Sequence, residues 1–355
     1  MSGSPGRSCS SAISHSLALL CSALLLLCPL GVGAALAQSW DEIVAAGRKE
    51  GRVLFYNNLQ PNGIEPLLQK FRARYPEISV EQIRLGSNAL IERYETEHNA
   101  GRHLADVVLT FPDERLDAGE KAGWMLDWMP PEAKNFPDDA IVRGHIFVLQ
   151  QSREALIWNK RLVKDADAPK TWEDLFDPKW KGKVGMNPPW RSVSIQQIIA
   201  FWENIGIKDP AGRMKANEVR FFEGSGGIVQ AVLRGDVRVA EVTDLPLNPL
   251  IEDGAPLGFT YPRAGTTLSF GKGFVVAKAP HPNAGKVFLN WLMTKEGQEA
   301  LQMHGGLAVT RKDVTPPKHI PPTSALSGAV DGETILTPER QKKIVAEWRG
   351  VFGIR

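Results

Sequence analysis

Three polar turns, each placed directly before an expected helix, are the first candidates for chemistry in this sequence. The first turn of a helix has unpaired backbone N–H groups and lies at the positive end of the helix dipole, so it can bind an anion without a charged side chain. Ser and Gly also begin helices as simple caps, which is the alternative for any single turn. Three together favour an anion site. They are Leu85-Gly86-Ser87-Asn88, Pro189-Trp190-Arg191-Ser192-Val193-Ser194 and Glu223-Gly224-Ser225-Gly226-Gly227.

The second turn also carries side chains suited to a ligand. The guanidinium of Arg191 can hold a carboxylate or phosphate through two hydrogen bonds, although an ordinary surface arginine is an equal alternative. Trp190 offers a flat face for stacking, or it packs the turn between the two lobes. With Ser192 beside them, these residues join Ser87, Asn88 and Ser225 as predicted ligand contacts.

Further polar residues stand at the carboxyl ends of expected strands. Tyr56 and Asn57 end the first strand, and Thr243 and Asp244 follow a later one. Ligands of open α/β sheets bind beyond the carboxyl ends of the strands, so we predict that all four residues contact the ligand. Asp244 would accept a hydrogen bond from a hydroxyl or balance an amine. The alternatives are core packing for Tyr56 and helix capping for Asp244.

The motifs of common catalytic and cofactor sites are missing. No Gly-x-Ser-x-Gly elbow occurs, and Ala284-Gly285-Lys286-Val287 lacks the first glycine and the closing Ser or Thr of a phosphate loop. His98 and His103 are close in sequence, but their spacing places them on different faces of a helix. We therefore predict no catalytic residue, no metal ligand and no cofactor.

The order of the expected elements predicts an α/β fold with two lobes. Strands that alternate with helices form parallel sheets with helices on both faces, because parallel strands need crossover connections. A cleft between two such lobes is a preferred site for a small ligand. The expected strands are 52–57, 78–85, 106–110, a pair within 146–159, 183–186, 237–242 and two within 260–277, and the expected helices are 64–75, 87–100, 171–175, 192–205, 225–233, 282–304 and 338–349, with an extended crossing over 313–336.

Composition and charge limit the function. The chain of 355 residues has 42 Lys and Arg against 40 Asp and Glu, a net charge of +2, whereas nucleic-acid binders carry a large basic excess. We therefore predict no nucleic-acid partner. A hydrophobic share of 43% is enough for a globular core.

The first 37 residues have the layout of a secretory signal. A weakly basic start with Arg7 precedes an apolar run over 17–30, and Ala35-Leu36-Ala37 supplies a small-x-small cleavage site. An uncleaved membrane anchor is the alternative. All three cysteines lie in this segment, so an exported chain cut after Ala37 has no disulfide. We predict a periplasmic location.

An ordered set of motifs resembles the periplasmic solute-binding proteins of ABC importers. The resemblance covers the chain beyond residue 37, and it is strongest to the subgroup that binds ferric iron, thiamine, phosphonates and sugar phosphates. The motifs are Phe71-x-x-x-Tyr75-Pro76, Glu97-x-x-x-Gly101, Ala105-Asp106-Val107-Val108, Trp158-Asn159, Thr171-Trp172-Glu173-Asp174-Leu175, Pro178-Lys179-Trp180-Lys181-Gly182-Lys183, Ala279-Pro280-His281-Pro282-Asn283-Ala284 and Glu296-Gly297-Gln298.

The resemblance implies a type II binding fold whose two lobes close on a small-molecule ligand and deliver it to an inner-membrane ABC permease. We expect a monomer with a signal peptide over 1–37, the first lobe over 38–156 and 263–310, and the second lobe over 157–262. The segment 311–355 is expected to be an extended crossing and a helix packed on the second lobe.

The ligand suggested by the resemblance is a small organic anion or zwitterion, such as a phosphonate, a sugar phosphate or a carboxylate. Ferric members have two adjacent tyrosines where this chain has Leu245-Pro246, and its four tyrosines are never adjacent. The turns at Arg191 and Ser225 match the segments with which ferric members hold an anion. The alternatives are Fe³⁺ with carbonate or citrate, thiamine held by Trp190 and Asp244, a periplasmic sensor, and a secreted enzyme, which no catalytic motif supports.

Overall fold

The structure of the chain, a computed structural model, describes residues 38–355 except 60, 112–114, 245–246, 306–307 and 323–324. The expected signal segment lies outside the described residues. Within them, no helix is long and apolar enough to cross a membrane.

Twelve strands of the described residues join in one mixed sheet whose main order is β2-β1-β3-β10-β5-β8-β6-β7. Parallel pairs connect β1 with β2 and β3, and β6 with β7 and β8, whereas β5 and β10 run antiparallel to their neighbours on this path. The strands are β1 (Arg52–Asn57), β2 (Ser79–Arg84), β3 (Val107–Thr110), β4 (Ile141–Val142), β5 (Ile146–Asn159), β6 (Val184–Met186), β7 (Arg220–Phe221), β8 (Val239–Thr243), β9 (Leu257–Thr260), β10 (Thr267–Val275), β11 (Ala308–Val309) and β12 (Val330–Asp331).

Helices follow the parallel strands, as the sequence predicts. They are α1 (Trp40–Glu50), α2 (Pro61–Arg74), α3 (Ser87–Asn99), α4 (Arg115–Lys121), α5 (Val193–Asn204), α6 (Pro210–Ala216), α7 (Gly224–Arg234), α8 (Leu247–Glu252), α9 (Pro282–Met293), α10 (Lys295–Gly305), α11 (Gly332–Ile335) and α12 (Pro338–Phe352). Short 3-10 turns cover Pro131–Asn135, Asp138–Ala140, Glu173–Phe176 and Pro178–Trp180.

A single long strand replaces the expected strand pair over 146–159. The first part of β5 pairs with β10 up to Arg153, and from Glu154 onward it pairs with β8 and β9. The strand thus passes from the sheet of the first lobe (β1 to β3 and β10) into that of the second lobe (β6 to β9). The strand remains extended over its whole length, and only its partners change, so no turn separates the two parts.

The helix expected over 282–304 is interrupted. Thr294 has an extended backbone (ψ 162°) and separates α9 from α10. Its hydroxyl donates to the carbonyl of Trp291 and accepts from the N–H of Gly297, so the side chain serves both helix ends. The expected capped helix over 171–175 is likewise a 3-10 turn, Glu173–Phe176.

Apolar residues cover both faces of the sheet in each lobe. In the first lobe, the rings of Phe55 and Phe71 each lie 4.9 Å from Phe288 of α9. In the second lobe, Ile344 and Trp348 of α12 are buried in the same cluster as α5. The two lobes therefore have separate cores, and the last helix completes the second one.

A buried ion pair lies where β5 changes partners. Arg153 and Asp244 are 0% and 1% exposed, and Arg153 Nε donates to Asp244 Oδ2 over 2.7 Å. The hydroxyl of Tyr261 donates to the same oxygen, and Arg153 Nη1 donates to the carbonyl of Pro321. These bonds connect β5, the end of β8, the segment after β9 and the C-terminal crossing.

Replacing Asp244→Ala should lower the free energy of unfolding by about 3–5 kcal/mol, because Arg153 would keep a buried charge without its partner. Urea unfolding measures the change. The matched control is Asp236→Ala, which breaks the exposed ion pair with Arg234 and should cost less than about 1 kcal/mol. Equal losses in the two variants would contradict a structural role for the buried pair.

Candidate functional site

A cavity of about 540 Å³ lies between the lobes, beyond the carboxyl ends of the parallel strands. The first lobe contributes the start of α3 and Phe111 after β3. The second lobe contributes the segment after β6, the starts of α5 and α7, and the end of β8. The described lining residues are Gly86, Ser87, Asn88, Ala89, Phe111, Ser152, Asn187, Pro188, Arg191, Ser192, Val193, Ser194, Gln197, Glu223, Gly224, Ser225, Thr243 and Ser269.

Three helix N-termini meet at this cavity. They belong to α3, α5 and α7, whose N-caps are Gly86, Ser192 and Glu223. Gly224, with φ of +70°, gives α7 its first turn in a backbone conformation that other residues rarely adopt. Each helix has more than ten residues and directs its unpaired N–H groups and its positive dipole end towards the opening. The convergence is a structural basis for anion binding.

Hydroxyl and amide groups supply most of the polar lining, and charge is scarce. The Ser225 and Thr243 hydroxyls lie 2.6 Å apart, and this hydrogen bond joins the start of α7 to the end of β8. Arg191 is the only basic residue of the described lining, and it pairs with the Glu223 carboxylate at the rim, where both side chains are more than half exposed. Side-chain charges at the rim therefore cancel, which leaves the helix N-termini as the source of positive potential.

The cavity continues towards the C-terminal segment. Asn88, Val193 and Gln197 also line a neighbouring cavity of about 680 Å³. Its walls include Lys272 and Glu333, which form an ion pair with Nζ–Oε1 at 2.6 Å. This extension leaves space for a ligand larger than a bare anion.

Six of the ten predicted contact residues line the cavity. They are Ser87, Asn88, Arg191, Ser192, Ser225 and Thr243. The other four, Tyr56, Asn57, Trp190 and Asp244, do not line it.

Tyr56 and Asn57 are fully buried in the first lobe. The Tyr56 hydroxyl donates to Glu97 over 2.7 Å inside an apolar cluster, and burial raises the pKa of this phenol to about 12. The Asn57 amide donates to Gln82 and accepts from the backbone N–H of Leu59. The prediction that these side chains face the ligand is therefore corrected to core packing and support of a turn.

Trp190 and Asp244 are also turned away from the cavity. Trp190 packs edge-on against Phe221 with the ring centroids 4.9 Å apart, and Phe352 of α12 lies beyond. Asp244 is occupied by Arg153 and Tyr261. Trp190 thus packs its turn within the second lobe and not between the two lobes, and among the described residues the Asp244 side chain pairs with Arg153.

Sequence reasoning missed four polar lining residues, namely Ser152, Asn187, Gln197 and Ser269. Asn187 directly follows β6, so the strand-end rule that selected Thr243 would have found it. Ser152 lies in β5, which passes between the lobes, and Ser269 lies opposite it in β10, so both look like ordinary sheet residues. Ser269 donates to Gln197 over 2.7 Å and fixes that amide in the wall.

Two glutamates form a buried acidic pair behind the cavity. Glu154 and Glu241 are 2% and 0% exposed, and in the described residues one oxygen of Glu154 and both of Glu241 lack a hydrogen-bond partner. Burial is the main cause that raises the pKa of both carboxyls, and the neighbouring Glu154 raises that of Glu241 further. The two carboxyls therefore keep their protons to a higher pH than exposed glutamates do.

Donors for a transition metal are missing from the described lining. No Tyr, His or Cys lines the cavity, and no group of three or more His, Cys, Asp or Glu is placed to hold a metal ion in the described part of the chain. Protein sites for Fe³⁺ use several anionic oxygen or imidazole ligands, and Glu223 is the only carboxylate of the described lining.

Comparisons with known proteins agree with this geometry. Residues 67–326 match the family model described as bacterial extracellular solute-binding protein. A Salmonella typhimurium protein, provisionally named a 2-aminoethylphosphonate-binding periplasmic protein, is 26% identical over 67% of this chain and 72% of its own length. The Fe(3+)-binding periplasmic protein of Serratia marcescens is 27% identical over 69% of this chain and 72% of its own.

A solved structure supports the fold. The periplasmic binding protein AfuA of Actinobacillus pleuropneumoniae, with fructose-6-phosphate bound, superposes with a TM-score of 0.72 at 20% identity, over 86% of this chain and 99% of that one. The expected resemblance and the two-lobed α/β fold are thereby confirmed.

Replacing Glu241→Gln should raise the free energy of unfolding near pH 8 and change it little near pH 4. Because the folded pKa of this carboxyl lies well above its ordinary value of 4.5, the folded chain binds more protons than the unfolded chain, and stability falls as pH rises from 4.5 towards the folded pKa. Glutamine removes that loss. Urea unfolding at several pH values measures it, with exposed Glu252→Gln as the control. A destabilised Gln variant at pH 8 would contradict a protonated pair.

Proposed function

Because the chain belongs to the family of bacterial extracellular solute-binding proteins, we propose that it captures a small organic anion or zwitterion in the cavity between its lobes. Phosphonates, sugar phosphates and carboxylates are the proposed classes. The observation that carries the proposal is the convergence of the N-termini of α3, α5 and α7 on one cavity.

Side chains complete the proposed site. The hydroxyls of Ser87, Ser192, Ser225 and Thr243 can donate to the anion, and Asn88 and Asn187 can bond to ligand hydroxyls. Arg191 can exchange its exposed contact with Glu223 for a two-point contact with the anion. Glu223 would then be free to bind an ammonium group of a zwitterion.

An organic anion is favoured over Fe³⁺. Relatives of similar identity are named for a phosphonate and for iron, so similarity alone does not choose between them. The described lining offers hydroxyls, amides and helix N-termini, which suit an anion, and it offers no phenol or imidazole. Thiamine is not favoured either, because Trp190 and Asp244 lie outside the cavity.

Closure of the two lobes is part of the proposal. The lobe boundaries, 38–156 with 263–310 against 157–262, remain predictions, and the change of partners along β5 at Arg153 and Glu154 supports a boundary close to them. A ligand that contacts α3 and α7 together binds the closed arrangement better than the open one, and this difference in affinity drives closure.

The wider role follows from the family. We propose that the protein is exported to the periplasm, as the names of its relatives indicate for them. It would act as a monomer, deliver its ligand to an ABC permease, and have neither catalytic activity nor a nucleic-acid partner.

A thermal-shift screen tests the ligand class. The panel is 2-aminoethylphosphonate, glucose 6-phosphate, citrate, thiamine and ferric citrate. An anion at a hundred times its dissociation constant should stabilise the protein by about 2.7 kcal/mol, which is visible as a higher melting temperature. Arg191→Ala should weaken that anion at least about tenfold and leave the melting temperature of the empty protein nearly unchanged, since the lost ion pair is exposed. A shift with ferric ion alone would refute the proposal.

A charge at one helix start tests the anion geometry. Ser225→Asp places a carboxylate in the first turn of α7, where it favours the helix but repels a bound anion, so the affinity should fall about a hundredfold without loss of stability. Ser225→Asn is the neutral control of the same size and should stay within about fivefold of the original. Titration calorimetry measures both, and equal affinities would remove α7 from the site.

A further inference from the structure

We propose that the protons held by the buried pair Glu154 and Glu241 keep the cavity receptive to anions, so that ligand affinity falls as the pair loses them. The inference rests on the proposed function, because it concerns the same anion end of the cavity. Glu154 and Glu241 lie outside the lining of the cavity. They do not touch the ligand and act on it only through their charge.

The register of the sheet places the pair directly behind the cavity wall. Glu154 lies opposite Thr243 in the β5–β8 pairing, and Leu156 lies opposite Glu241, so the two glutamates leave the same face of the sheet. Ser152 precedes Glu154 by two residues on that face. Thr243 and Ser152 both line the cavity, so the carboxyls sit just beyond them.

The pair also touches the start of α5. The Ser194 hydroxyl, which lines the cavity in the first turn of that helix, interacts with the Glu154 carboxyl. A negative charge here would counter the positive end of α5, the feature that attracts an anion. A neutral carboxyl leaves that end unopposed.

The hydrogen bonding fits a shared proton. Two ionised carboxylates can only accept hydrogen bonds, so they cannot bond to each other. Three of the four carboxyl oxygens of Glu154 and Glu241 lack a partner among the described residues. A proton on one carboxyl supplies the missing donor to the other. Burial without a cation then costs far less than two buried charges would.

No cation in the surroundings replaces that proton. Arg153 precedes Glu154 in the strand, so its side chain leaves the opposite face, where Asp244 occupies it. Asp244 itself raises the pKa of Glu154. Among the described neighbours, β6 and the first turns of α5 carry no charged residue. The described lining of the cavity adds only the pair Arg191–Glu223, and Lys272 of β10 is paired with Glu333.

Binding and protonation are therefore linked. The pair is neutral with two protons, carries one negative charge when it shares a single proton, and carries two when both are lost. Each proton lost as the pH rises adds a negative charge beside the cavity, so the affinity for an anion falls. Reciprocally, a bound anion favours the protonated pair, so binding at higher pH takes up a proton from solution.

Sulfate is a suitable probe, because its charge stays constant between about pH 5 and pH 9. Titration calorimetry on the whole protein should show sulfate affinity falling at least about tenfold over this range. The double variant Glu154→Gln with Glu241→Gln should keep the affinity of the low-pH form at every pH. Glu97→Gln, a buried carboxyl of the first lobe away from the cavity, should keep the pH dependence of the original protein.

A flat pH profile in the original protein, or the same fall in the double variant, would overturn the inference while leaving the anion site standing. If the double variant does not fold, Glu241→Gln alone serves. It leaves Glu154 as the one ionisable carboxyl and offers it an amide donor, so the pH at which sulfate affinity falls should move from that of the original protein, and an unchanged profile would overturn the inference. Infrared difference spectra without ligand give a second readout. A protonated-carboxyl band at neutral pH that the Gln variant loses supports the inference, and its absence refutes it.

Sulfate that fails to bind at any pH, together with no anion hit in the thermal-shift panel, would refute the proposed function and with it the coupling to a ligand. The infrared band separates that failure from the absence of a shared proton.

Discussion

The passage of β5 from one lobe into the other is the constraint on which the rest of the structure depends. Its partners change between Arg153 and Glu154, so one extended strand carries a structural ion pair on one face and an acidic pair on the other. The parallel strands of both lobes are arranged around it, and their carboxyl ends open on the same cavity. Three helices that follow those strands then point their N-termini at one volume. A cavity for an anion is the consequence of this topology.

The site attracts an anion through the backbone more than through side chains. Its single lining arginine is balanced by Glu223, so the helix N-termini and the hydroxyls supply the attraction. Such a site is sensitive to any nearby negative charge, because each helix end carries only about half an elementary charge. The protonation of Glu154 and Glu241 is therefore as important to the account as the groups that touch the ligand.

The sequence predicted the parts of the site that local rules determine. Ser87, Ser192 and Ser225 were found because a Ser- and Gly-containing helix start is encoded within a few neighbouring residues, although only Ser192 caps its helix with its side chain. Asp244 and Tyr56 were misplaced because their partners, Arg153 and Glu97, lie 91 and 41 residues away in sequence. The acidic pair was invisible for the same reason, since only the register of β5 against β8 brings the two carboxyls together.

A crystal structure of the protein with its captured anion tests the central claim most directly. The account predicts that the anionic group lies within hydrogen-bond distance of backbone N–H groups in the first turns of α3, α5 and α7, with the ligand enclosed between the lobes. An anion held by one lobe alone, or a metal ion bound in its place, would contradict it.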